Sequence, residues 1–158
     1  MQACLLPPPL EQAAPAENQP PRILPQNLVP GPTLRPPVLP AGCPETQPFQ
    51  ASVIDPDGDT IHWRVFVDYW ADIDRSPTPD SVQADADNPR PIEFAPDRSA
   101  YSDFSPHTVE LYIADRPFRE GRFDQEGRIL TDPDGLVDTF IWSVTLDDNL
   151  DPLYCPEP

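Results

Sequence analysis

Asp55-Pro56-Asp57-Gly58-Asp59 places three carboxylates at alternate positions around a glycine. Calcium loops use this spacing to bring side-chain and backbone oxygens onto one hard cation. Asp132-Pro133-Asp134-Gly135 repeats the shape, with Asp138 behind it. The same residues also fit a plain type I turn, which takes Pro at its second place and Gly at its fourth. An EF-hand loop needs a bidentate Glu at its twelfth position, and counting from Asp55 that position is Phe66. At the level of sequence both readings stand. The residues are either strand-connecting turns or a calcium ligand set of Asp55, Asp57, Asp59, Asp132, Asp134 and Asp138.

Catalytic chemistry finds less. His107 lies between Ser105 and Glu110, with Asp103 nearby, but no Gly-x-Ser-x-Gly is present and a triad is defined by geometry rather than proximity in sequence. Carboxylate pairs of the glycosidase kind are unavoidable in a chain with 27 acids, so their presence does not point to that reaction. His62 alternates with Trp63 and is expected to face outward. Without a Cys-x-x-Cys, neither histidine gains a zinc partner. No catalytic residue is assigned, and the expectation is a protein that is not an enzyme.

The formal charge is −17, with 27 acids against ten bases, and every base is arginine. Arginines scattered among carboxylates do not form the cationic patch that a phosphate backbone requires, so nucleic acid is not an expected partner. Anionic membrane surfaces are disfavoured for the same reason. The absence of lysine removes Schiff-base chemistry and the phosphate-binding lysine of a P-loop.

Three cysteines divide the chain. Cys43 precedes most of the strand-like segments and Cys155 follows the last, and a sandwich can bring such ends together. A Cys43–Cys155 disulfide closing so long a loop would remove about 4.7 kcal/mol of unfolded-state freedom in the chain-entropy model. Cys4 stands apart at the head of a proline-rich lead-in. Fourteen of the 26 prolines fall before residue 49, which favours extended, polyproline-like backbone over helix. Residues 5 to 19 would then reach about 45 Å. No apolar run approaches the roughly 20 residues of a spanning helix.

From Phe49 the period of the sequence becomes two. Phe49, Ala51 and Val53 share one face, and after the first Asp-rich turn Ile61, Trp63, Val65, Val67 and Tyr69 share another, as in a hairpin-like pair. Val109, Leu111 and Ile113 mark a third strand, and Phe140, Trp142, Val144 and Leu146 a fourth. Shorter segments lie at 91–94 and 128–130, with an edge near Ile23. Six or seven short strands and no convincing helix predict an all-β antiparallel sandwich. Long loops are expected at 26–45, 71–90 and 95–104. Trp63 and Trp142 belong to the core, and Trp70 is the candidate for an exposed contact.

Two resemblances sharpen this reading. Asn18-Gln19-Pro20-Pro21-Arg22-Ile23-Leu24 resembles the opening of bacterial immunoglobulin-like and cadherin-like modules, and Ser52 to Tyr69 and Val109 to Leu146 extend the likeness. Ala3-Cys4 resembles the junction of a bacterial lipoprotein signal, where a small residue precedes the cysteine that receives the lipid. Without lipid, Cys4 is an unpaired thiol. Together they imply a Pro-rich tether over residues 1–17 and an Ig-like domain over 18–158, in a bacterial cell envelope protein. It would be held to the outer membrane through lipid on Cys4 and face the periplasm or the cell surface. The family implies a binding or structural role, either contact with other envelope proteins or self-assembly as an accessory subunit of a larger surface assembly. The alternative is a calcium-dependent carbohydrate-binding or adhesion module. Fold alone does not choose between them.

Overall fold

The computed structural model describes residues 17–32, 38–40, 48–68, 80–83, 87–96, 101, 106–119 and 125–147. Cys4, Cys43 and Cys155 lie outside these residues, as do Trp70, Ser105 and all of the expected tether except Glu17. Among the described residues eight strands run in chain order: β1 (Arg22–Val29), β2 (Val38–Pro40), β3 (Phe49–Ile54), β4 (Thr60–Val67), β5 (Asp80–Gln83), β6 (Arg90–Phe94), β7 (His107–Ala114) and β8 (Val137–Asp147). The helical element among the described residues is a 3-10 turn at Gln125–Arg128.

The strands form two sheets, ordered β1-β3-β6 and β2-β8-β7-β4-β5. Neighbours are antiparallel except β2, which runs parallel to β8 with Val38 opposite Thr145. This is an all-β sandwich. The period-two pattern explains why the sheets meet face to face. Ile61, Trp63, Val65 and Val67 of β4 join Val109, Leu111 and Ile113 of β7 and Trp142, Val144 and Leu146 of β8 on one inner face. Ile23, Phe49, Ala51, Val53, Ile92 and Phe94 cover them from the other sheet. At the centre, Phe49 stacks on Phe94 with centroids 5.4 Å apart and meets the edge of Trp142 at 5.3 Å. The Trp142 indole donates to the Pro30 carbonyl at 2.9 Å, so the ring is buried without an orphaned donor.

The structure corrects several expectations. The segments around Asp55-Pro56-Asp57-Gly58-Asp59 are not a hairpin: β3 pairs with β1 and β6, while β4 pairs with β7 and β5. Alternation identifies which face of a strand is apolar but not which strand lies beside it, so the turn in fact carries the chain from one sheet to the other. The expected loop at 26–45 contains the end of β1 and all of β2, and the loop at 71–90 contains β5. These pieces are short, polar or proline-bearing edge segments with little apolar alternation to reveal them. The candidate strand at 128–130 is the end of the 3-10 turn plus an isolated bridge between Leu130 and Phe118.

The outer face of the larger sheet is partly covered. Arg64, Phe66, Glu110 and Ala114 point away from the sandwich interior yet are buried. The β7–β8 connection folds back over them, and Ala114, Phe118 and Leu130 form a second small core with Tyr112 against it. Arginine fixes this excursion. Arg64 Nη1 donates to the Gly127 carbonyl at 2.8 Å, and both its Nη atoms donate to the Arg119 carbonyl at 3.2 Å. Arg128 pairs with Glu110 and lies 4.9 Å from the Tyr112 ring centroid and 5.2 Å from that of Phe66.

Candidate functional site

The two Asp-Pro-Asp-Gly turns, 77 positions apart in sequence, meet at one end of the sandwich. Their meeting is mediated by Arg116, the second residue after β7. Its Nη1 donates to Asp59 Oδ2 at 3.3 Å, and its Nε stands 3.9 Å from Asp132 Oδ2. The bond to Asp59, then the neighbouring charge of Asp115, raises the guanidinium above its usual range.

Within the first turn, Asp55 is fully buried and acts as the organiser. Its Oδ1 accepts from the amides of Asp57 at 2.9 Å and Asp59 at 3.2 Å, and its carbonyl accepts from Gly58 at 3.2 Å. This is an Asx turn, and Gly58 closes it at φ 77°, where a Cβ would be strained. In the second turn Asp132 Oδ1 accepts from Asp134 at 3.0 Å, and its carbonyl accepts from Gly135 at 3.3 Å.

The same end receives the start of the domain. Gln19 donates its amide to Asp57 Oδ2 at 2.5 Å, Asn18 Nδ2 donates to Asp115 Oδ2 at 2.6 Å, and Ile23 donates its amide to Asp138 Oδ2 at 2.8 Å. Asp115 is buried, and its second oxygen accepts from the Leu136 amide at 2.8 Å. Neither Asp115 nor Arg116 stood out in the sequence. Both follow an apolar strand as an ordinary charged pair, and only the return of the β7–β8 connection gives them partners.

The expected ligand set is therefore brought into one region but not onto one point. Asp55 Oδ1, Asp57 Oδ2, Asp132 Oδ1 and both oxygens of Asp138 are engaged by amides, the last including Thr139 at 2.8 Å. Asp134 is exposed. Arg116 stands as a cation between Asp59 and Asp132. Among the described residues no three His, Cys, Asp or Glu groups gather as a metal site. Calcium takes six to eight oxygens, and this arrangement does not fit it as it stands. One observation runs the other way: Asp55 Oδ2 is buried with no hydrogen-bond partner.

The histidines fall elsewhere. His107 is buried and pairs through Nδ1 with Asp68 Oδ2, while Asp68 Oδ1 accepts from the Thr108 amide at 2.8 Å. Asp68 holds φ 44°, so this bend and its double contact join the end of β4 to the start of β7. His62 faces outward on β4, half-buried, with its pKa lowered by desolvation and then by Arg116, and Asp115 acting in opposition. No family model, curated protein or solved structure matches the chain. Among the described residues no helix is long and apolar enough to cross a membrane.

Proposed function

We propose that this is a non-enzymatic bacterial envelope protein, tethered through lipid on Cys4, whose Ig-like sandwich serves contact with other proteins or a larger surface assembly. The observation that supports the reading is the division of labour in the sandwich. Of the buried polar groups, Asp55, Asp115 and Arg64 hold backbone, Glu110 pairs with Arg128 and His107 pairs with Asp68. Aliphatic side chains that could instead complete a core, Ile129, Val137 and Ile141, are left exposed on the outer side of the larger sheet. That pattern suits a surface built for contact more than a pocket built for reaction.

Non-reducing mass spectrometry of the native protein tests the tether and the bridge together. The expected masses carry lipid on Cys4 and a Cys43–Cys155 disulfide. Extraction into a detergent phase and recovery of a stable complex or oligomer complete the case. A protein that is monomeric, partitions into water and retains no partner would overturn it. The second reading, a calcium-dependent carbohydrate-binding or adhesion module, is favoured by the orphaned Asp55 Oδ2. It requires Arg116 to give way to the ion, and a melting temperature unmoved by millimolar calcium would remove it.

A further inference from the structure

We infer that the groove between the β7–β8 connection and the start of β8 seats an apolar side chain of a partner protein whose surrounding surface is basic. This deepens the protein-contact reading and rests on it.

The groove has a volume of about 340 Å³ and is lined by Ile129, Leu130, Pro133 and Val137, with Arg119 and Asp132 beside them. That is at the small end of ligand pockets and leaves room for an anchoring side chain rather than a large cofactor. Five large aliphatic residues are exposed among the described residues, and three of them belong to this surface: Ile129 at 41%, Val137 at 40% and Ile141 at 56%. Val137 and Ile141 share the outward face of β8, so the apolar strip continues beyond the groove along the strand.

The groove is also preformed. The Arg119 amide donates to the Ile129 carbonyl at 3.0 Å, and the Thr131 amide donates to the Pro117 carbonyl at 2.8 Å. Arg64 grips the connection from beneath through the carbonyls of Arg119 and Gly127. A contact surface that is already ordered avoids much of the entropy lost when a loop must fold around its partner.

Charge selects the occupant. The chain carries −17, and the groove adjoins the acidic end formed by Asp57, Asp59, Asp132 and Asp134. Such a field draws a cationic partner and repels an anionic one. The Arg119 side chain has no ion pair among the described residues and supplies donors to the carbonyls of the incoming segment. Aliphatic floor, arginine rim and acidic surround together describe a hydrophobic residue flanked by arginine or lysine.

The test uses the full chain and two acetylated, amidated peptides, Arg-Lys-Leu-Phe-Lys-Arg and Arg-Lys-Gly-Gly-Lys-Arg, titrated calorimetrically at about 150 mM salt. The apolar peptide should bind about tenfold or more tighter than the glycine peptide. In an Ile129→Ser/Val137→Ser protein with its melting transition intact, the two should converge to within about threefold. Equal or absent binding of the two by the wild type, or a preference that survives in the double variant, overturns the groove. Cross-linking in native envelopes separates this from the broader reading: a partner retained by the double variant sinks the groove alone. No partner for the wild type sinks protein contact itself.

Discussion

Arg116 donates to Asp59 at 3.3 Å and faces Asp132 at 3.9 Å, so one guanidinium joins the two Asp-Pro-Asp-Gly turns. In sequence those turns read either as plain strand connections or as a calcium ligand set. In the fold the chain supplies its own cation at their meeting point. Replacing Arg116 with Gln should lower the melting temperature by no more than about 2 °C at low salt, because Asp59, Asp132 and Asp115 lose a shared cation at an exposed position. The deficit should shrink at about 1 M salt, where charges are screened within about 3 Å. Calcium should leave the wild type unmoved and stabilise the variant. Equal melting of the two proteins at every salt concentration would show that the pair contributes nothing.

His62 gives this end a defined pH response. Its pKa lies below 6.5 in the folded protein, chiefly through desolvation. The unfolded chain therefore binds the proton more readily, and stability rises with pH across that interval. The contribution is present above pH 6.5 and is lost as pH falls from there through the folded-state value. His62→Gln should flatten the stability profile in this window, measured as the difference between wild-type and variant denaturation midpoints. Parallel profiles would exclude His62 as the source.

Arg64 holds the excursion that forms one wall of the groove. Its substitution by Met keeps much of the stem's packing but leaves the carbonyls of Gly127 and Arg119 without this donor, an expected loss of about 1–3 kcal/mol. Hydrogen exchange should accelerate in residues 117–119 and 125–131 while the amides of β3 and β4 keep most of their protection. Uniform acceleration would mean that Arg64 supports the sandwich as a whole and not this connection.

The inner faces were legible because period-two alternation is a local property: Phe49, Ala51, Val53, Ile61, Trp63, Val65 and Val67 declare their burial position by position. Pairing was not, since β3 and β4 adjoin in sequence but sit in different sheets. The acidic turns were visible as candidates, and their ligands in the fold were not. Arg116 and Asp115 acquire meaning only when the β7–β8 connection folds back on the outer face. Phe66 and Arg64 show the same limit: at outward positions of a strand they read as exposed, and long-range packing buries them. The short edges β2 and β5 carried too few apolar residues to signal themselves.

Core substitution should be costly where the rings interlock. Phe49 stacks on Phe94 of the neighbouring strand, meets Trp142 across the two sheets and is fully buried. Phe49→Ala should lose about 3–5 kcal/mol in chemical denaturation, and Phe49→Leu less than half of that. A loss under about 1 kcal/mol for the alanine variant would mean that the sheets close over the space.

Gly58 and Gly135 occupy matching places in the two turns but resist substitution for different reasons, which a pair of variants can separate. At Gly58 a Cβ meets nothing within 4 Å, and the obstacle is the backbone at φ 77°. Asparagine tolerates that conformation, so Gly58→Asn should cost no more than about 1 kcal/mol. At Gly135 a Cβ would fall 2.5 Å from Leu130 Cδ1 and 2.8 Å from Arg116 Cγ. Gly135→Asn should therefore be the more damaging by denaturation, pushing Leu130 into the groove and Arg116 away from Asp59. It should also weaken the apolar peptide's advantage in binding, which Gly58→Asn leaves unchanged. If the two asparagine variants prove equally stable and bind alike, the close approach of Leu130 and Arg116 across Gly135 does not shape either site.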